Sequence, residues 1–220
     1  MSIETSMAGY YAERAREYER IYLKPERQED LRQLRNLVGG AFAGAHVFEV
    51  ACGTGYWTEI IANSAASVVA SDINEEVLSI ARSKGIDPKK VIFRREDAYD
   101  LPVLPHQFTG GLAVFWWSHV PKARLRDFLR GFHRMLSAGA RVVFIDNNYV
   151  EGSSTPISRT DEQGDSYQTR RLEDGSTHEV LKNFPTPAEL SATLEGLGDQ
   201  VRVENLQYYW LLSYVRKAPV

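Results

Sequence analysis

The chain has 220 residues, 43% of them hydrophobic and 25% charged, with a formal net charge of −3. That length fills one core comfortably and two poorly, so a single domain over 1–220 is expected, and the slightly acidic balance without any Lys/Arg cluster argues against nucleic acid as the main partner. A lone Cys52 leaves no internal disulfide and no multi-cysteine metal site. The opening MSIETSMAGYYAER lacks the basic-then-apolar order of a secretion signal, and no apolar run approaches the ~20 residues of a membrane span, so a soluble, cytoplasmic protein without a membrane partner is expected, as monomer or homodimer.

Tyr11, Ala15, Tyr18 and Tyr22 recur at the spacing of one helical stripe, and Pro25 punctuates it. A second helix carries Leu31, Leu34, Leu37 and Val38 and is expected to close at Gly39-Gly40. Short apolar runs then alternate with helical segments: strands at 46–51, 67–72, 91–96, 111–117 and 141–146, with helices from about 55, at 75–84 and from about Pro121. Such alternation indicates a doubly wound α/β architecture, a mostly parallel sheet with helices on both faces. Residues 148–184 break the rhythm, with two strand-like arms around Asp174-Gly175, a hairpin signal beside the sheet edge. A helix at 186–196 and two closely spaced strands would finish the sheet with an antiparallel member.

The stretch EVACGTG (49–55) joins the first strand to the first helix, where open α/β sheets bind ligands. Glycine there lets the backbone take strained dihedrals and lets a ligand touch the main chain, while free N–H groups at the helix start attract polar atoms. Asp72 ends the second strand, 23 residues after Glu49, where a carboxylate can accept both ribose hydroxyls. Asp97-Ala98 ends the third, where a carboxylate and a backbone N–H could read an adenine edge. Thr58 stands where a dinucleotide fingerprint has its third small residue, and no nucleoside-triphosphate phosphate loop is present. The remaining common adenosine cofactor carries no phosphate.

In these motifs, and in their order, the chain resembles the class I S-adenosylmethionine-dependent methyltransferases: EVACGTG as the glycine-rich first motif, SDINEEVLSIAR (71–82) as the ribose-binding motif, EDAYDLP (96–102) as the adenine-binding stretch. The resemblance implies a Rossmann-like seven-stranded sheet and S-adenosyl-L-methionine as cofactor. It places Gly53 and Gly55 against the methionine part, Glu49 and Ala51 of the same motif among the cofactor-binding residues, Asp72 on the ribose, Ile73 beside adenine, Asp97 and Ala98 on its amine edge, Phe115 over the cofactor, and Tyr18 in an N-terminal lid over about 5–38. Ala51 replaces the motif's usual first glycine, and Thr109 replaces an aspartate common early in the fourth strand.

Methyl transfer to a hydroxyl or protonated amine also needs a proton acceptor. His119 after the fourth strand and Asp146 after the fifth are the catalytic candidates, with Asn147 and Tyr149 nearby. His46, His106, His133 and His178 read as structural or solvated. Trp57, Trp116, Trp117, Tyr10, Tyr11 and Tyr149 would suit a flat acceptor, and a cap over about 148–184, bearing Arg170 and Arg171, would enclose it. The expected activity is methyl transfer to oxygen or nitrogen of a small, aromatic metabolite. A non-catalytic cofactor-binding protein, an RNA or protein methyltransferase and a nicotinamide-dependent dehydrogenase are the alternatives, and no metal is expected.

Overall fold

The computed structural model describes residues 3–102 and 108–218; His106 lies outside them. Seven strands form the main sheet: β1 (His46–Val50), β2 (Ser67–Asp72), β3 (Val91–Arg95), β4 (Phe108–Val114), β5 (Leu136–Asn147), β9 (Gly198–Asn205) and β10 (Tyr209–Arg216). Their order is β3-β2-β1-β4-β5-β10-β9, with β10 antiparallel to both neighbours. The order reverses between β1 and β4, which pair in parallel with Val47 opposite Gly110, so the crevice at their carboxyl ends is the place where such sheets hold ligands.

Apolar residues cover both faces. Against one face pack Leu31, Leu34 and Val38 of α2 (Gln28–Ala41), Ile61 of α3 (Tyr56–Ala62) and Leu78 of α4 (Glu75–Ser83). Against the other pack Phe128, Leu129 and Phe132 of α5 (Leu125–Met135) and Leu190 of α6 (Pro187–Thr193). Thr186 caps α6 reciprocally with Glu189. No described helix is long and apolar enough to cross a membrane.

Three local readings are corrected. The tyrosine stripe is not one helix: α1 (Ile3–Glu13) ends before Tyr18, and a tight 3₁₀ segment, Tyr18–Leu23, carries Tyr18 and Tyr22. The bend lets Tyr10 pack against the second sheet while Tyr22 reaches the main core. Gly39-Gly40 does not end α2, which runs to Ala41; the left-handed residue of that turn is Gly44, at φ +70°. The fourth strand lies at 108–114 rather than 111–117, with Trp117 in a short 3₁₀ turn and Thr109 inside the strand at its far end from the crevice. Gly110 and Gly111 continue this strand because added Cβ atoms would lie 2.7 Å from Phe42 and 2.8 Å from Leu136.

The inserted segment forms its own three-stranded sheet of β6 (Arg159–Thr160), β7 (Ser166–Arg171) and β8 (Thr177–Leu181). Its hairpin turns at Asp174-Gly175 as the sequence indicates, with Gly175 at φ +90°. Tyr167, Leu172, Val180 and Leu181 of this segment pack against Met7 and Tyr10 of α1.

Candidate functional site

The bend after β1 is built from left-handed residues: Ala51 (φ +54°), Gly53 (φ +56°) and Gly55 (φ +76°). Asp72 holds it from the neighbouring strand, one oxygen accepting from Gly53 N at 2.9 Å and the other from Asn74 N at 3.0 Å. Burial raises the Asp72 carboxyl above its ordinary range. Below the bend, Glu49 is fully buried and accepts a hydrogen bond from Thr58 Oγ1 at 2.6 Å. Desolvation lifts Glu49 to about 8, so it is protonated at neutral pH. Thr58 thus occupies the close-packed helix position by bonding the strand beneath it.

A cavity of about 370 Å³ opens above this bend, and its walls include Tyr18, Ala51, Gly53, Asp72, Ile73, Asp97, Ala98 and Phe115. Eight of the ten cofactor candidates are thereby brought together. Glu49 and Gly55 do not line it. A Cβ on Gly55 would meet Ala81 Cβ at 3.0 Å, so this glycine serves the packing of α3 on α4.

Met7, Val77, Glu96, Trp116 and Arg124 line the same cavity; Val77 and Glu96 fall inside the motifs at 71–82 and 96–102 and Trp116 among the aromatic candidates, while nothing in the sequence marks Met7 or Arg124. Two polar atoms of that group, Glu96 Oε2 and Trp116 Nε1, are buried without a hydrogen-bond partner among the described residues. Unsatisfied buried atoms in a cavity wall are what a bound polar ligand would complete. Three carboxylates, Asp72, Glu96 and Asp97, face one cation, Arg124, which favours a ligand rich in donors and disfavours a phosphate. Apolar sides with polar acceptors at one edge fit an adenosyl group carrying a sulfonium and an ammonium.

A second cavity, of about 290 Å³, shares Tyr11, Tyr18, Phe115 and His119 with the first. Phe115 adopts φ +57°, rare for a bulky residue, held by its N–H to Ile145 O at 2.8 Å. Its ring stacks between those of Tyr22 and Tyr209, at 5.9 and 5.7 Å. His119 is buried beside it. Its Nδ1 lies 2.6 Å from Leu181 O, a carbonyl that can only accept, so Nδ1 carries the proton and Nε2 accepts from the Tyr11 hydroxyl at 2.8 Å. Burial, reinforced by Lys182 and Arg170, holds the imidazole well below its ordinary pKa and therefore neutral.

Asp146 reaches neither cavity. It is fully buried, and its oxygens accept from Lys182 Nζ at 2.7 Å, Asn147 N at 2.8 Å and Ser118 N at 2.9 Å. It is placed as the counterion of Lys182, a residue sequence reasoning missed, which lines the second cavity and is brought down to about 8 by burial. Tyr10, Asn147, Arg170 and Arg171 line this cavity too. Trp116 belongs to the first, Trp57 and Trp117 are core, and Tyr149 is 41% exposed, its ring beside Phe184. His46, His133 and His178 line neither cavity and bond Ser67, Tyr214 and Ser176.

Residues 47–139 match a family model described as a methyltransferase domain. Over 181 residues the chain is 30% identical to a ubiquinone biosynthesis O-methyltransferase of Pseudomonas syringae pv. tomato, covering 80% of this chain and 74% of that one. It is also 30% identical over 120 residues to a demethylmenaquinone methyltransferase of Tropheryma whipplei, covering 54% and 49%. The chain therefore spans about half the length of that relative. A solved structure described as a DhpI-SAM-HEP complex superposes with a TM-score of 0.80 at 29% identity, covering 97% of each chain, and one described as a DhpI-SAH complex with 0.79 at 28%, covering 99% and 98%.

Proposed function

The chain belongs to the class I S-adenosylmethionine-dependent methyltransferases, and on that premise we propose that it transfers a methyl group to an oxygen or nitrogen of a small molecule held in the second cavity. The observation that carries this reading is the shared wall: Tyr11, Tyr18, Phe115 and His119 line both cavities, so a ligand in one abuts a ligand in the other.

Asp72, Asp97 and Ala98 would hold the ribose and adenine of S-adenosylmethionine, with Gly53 and Ala51 beside its methionine part. When bound, the cofactor supplies an electrophilic methyl carbon on a sulfonium. The protein's remaining task is alignment and exclusion of water. The N-terminal segment acts as a lid: Glu19 accepts from Thr54 Oγ1 at 2.7 Å and pairs with Lys84, while Arg27 Nε donates to Ser153 Oγ at 3.1 Å. The β6–β8 sheet acts as the cap, joined to the lid by an Arg20–Glu173 ion pair. Tyr10, Tyr11, Tyr18, Phe184 and Tyr209 give the acceptor site ring faces suited to an aromatic or apolar part of the acceptor. Relatives named for demethylmenaquinone methylation and ubiquinone biosynthesis support a small acceptor over a macromolecule. His119 serves as a positioning residue, because its one lone pair is taken by Tyr11.

Incubation with S-adenosylmethionine carrying a labelled methyl group and a small-molecule extract, followed by mass spectrometry, tests this reading. A labelled small molecule is expected. Label found only on protein or RNA, or none transferred although the cofactor raises Tm, would overturn it.

A further inference from the structure

The second cavity is strongly basic. Arg14, Lys24, Arg27, Arg170, Arg171 and Lys182 line it against a single acid, Glu17. The chain as a whole carries a net charge of −3, so this concentration is not a general property of its surface. Among the described residues no carboxylate forms an ion pair with Arg14, Lys24, Arg27, Arg170 or Arg171; only Lys182 has one, Asp146. Arg14 rests over the rings of Tyr10 and Tyr18, at 5.7 and 5.5 Å from their centroids. Arg170 is held by the neutral Gln168 Oε1 at 2.8 Å and approaches the Tyr11 hydroxyl at 3.4 Å. Neutral partners fix these guanidiniums while leaving their charge uncompensated.

Half of these cations stand by the wall between the cavities: Arg170 approaches the Tyr11 hydroxyl and Arg14 lies over the Tyr18 ring. Lys182, Arg170 and Arg14 are the cations that act on His119, and Arg14 and Arg170 act on Tyr11 and Tyr18, three of the four residues of the shared wall. The carboxylates Asp72, Glu96 and Asp97 stand on the cofactor side, so a neutral acceptor would leave the cations of the second cavity offset there only by Glu17 and the buried Asp146. An anion would complement that excess of positive charge.

From this placement we infer that the acceptor is a compact oxyanion, phosphoryl or carboxylate, gripped by Arg14, Arg170 and Lys182 at the shared wall and methylated on its own charged oxygen. This rests on the methyl-transfer reading above and narrows it. The step balances without a base: a lone pair on the anionic oxygen forms the O–CH₃ bond as the S–CH₃ bond breaks, the sulfonium becomes a neutral thioether, and the acceptor loses one negative charge. No proton is released. That agrees with a site where His119 has its lone pair occupied and Asp146 is sealed beneath Lys182.

The test uses phenylphosphonate, benzoate and phenol, which share a ring and differ in the group offered. Each is titrated calorimetrically into protein saturated with S-adenosylhomocysteine, then supplied with S-adenosylmethionine in a pH-stat above its last ionisation for the two acids, with product identified by mass spectrometry. One of the two oxyanions is expected to bind about 10-fold or more tighter than phenol and to yield its methyl ester without proton release. Which of the two does so identifies the phosphoryl or carboxyl class. Arg14→Gln and Arg170→Gln should each weaken that binding about 10-fold while leaving S-adenosylhomocysteine affinity within about 2-fold. Phenol binding as tightly as both oxyanions, phenol methylated with one proton released per turnover, no oxyanion binding, or affinity unchanged in both variants overturns the inference and leaves the methyl-transfer reading standing. Failure to bind S-adenosylhomocysteine overturns that reading, and this one with it.

Discussion

Replacing Asp72 by alanine separates the site's two demands on that carboxylate. In the protein it accepts from Gly53 N and Asn74 N, at 2.9 and 3.0 Å, and it also lines the first cavity, where ribose hydroxyls would meet it. The alanine variant loses hydrogen bonds from the ligand to a charged acceptor, a loss of about 1–3 kcal/mol, or roughly 5- to 150-fold in Kd for S-adenosylhomocysteine. It also strands two backbone N–H groups, but these face a cavity that water can enter, so the cost to the free protein is about 1 kcal/mol. Asp72→Asn keeps one acceptor and should fall between the two. Calorimetric titration of both variants, beside thermal unfolding without ligand, gives the two numbers independently. Because burial raises the Asp72 carboxyl, cofactor affinity is retained above that raised pKa and declines as pH falls through it. An unchanged Kd in Asp72→Ala would remove this residue from the site and refute the reasoning.

Further predictions concern the groups around it. Glu49, folded, titrates at about 8 against about 4.3 in an unfolded chain, so its burial costs nothing at low pH and increasingly more as pH rises from about 4.3 through 8. Glu49→Gln should therefore match the parent near pH 4 and exceed it near pH 9 by up to about 5 kcal/mol in urea unfolding; equal stabilities at both pH values would contradict the burial argument. Gly55→Ala combines φ +76° with a 3.0 Å contact to Ala81, and should lower stability by about 1–3 kcal/mol with little change in cofactor Kd, the reverse of the Asp72 result. Tyr11→Phe takes the hydroxyl off His119 Nε2. If His119 positions Tyr11, Tyr11→Phe, His119→Gln and the double variant should all slow turnover at saturating cofactor by the same amount, under about 10-fold; a ~10²-fold loss confined to His119→Gln would show a base instead.

The main sheet was legible because buried parallel strands read as apolar runs, and much of the first cavity's lining because Ala51, Asp72, Asp97 and Phe115 follow or end strands that those runs locate. What escaped had no such marker. Lys182 and Asp146 are 36 residues apart and meet only because β8 of the inserted sheet passes over β5. Glu96 opens the motif at 96–102 and Trp116 is among the aromatic candidates, but only the fold buries their polar atoms in the cavity wall. The fourth strand reads as starting at Gly111 but runs through Gly110 back to Phe108, because Phe42, Phe132 and Leu136 fill the space where the side chains of Gly110 and Gly111 would stand. The tyrosine stripe was real, but three rings at helical spacing do not reveal that the chain tightens to 3₁₀ between them and sends them to different neighbours.

The most direct test of the whole account is a crystal structure of the complex with S-adenosylhomocysteine. Adenine is expected at Asp97 and Ala98, ribose hydroxyls on Asp72, and the sulfur facing the wall of Tyr11, Tyr18, Phe115 and His119, open to the basic cavity beyond. A ligand whose sulfur points away from that wall, or one seated in the basic cavity itself, would contradict this placement.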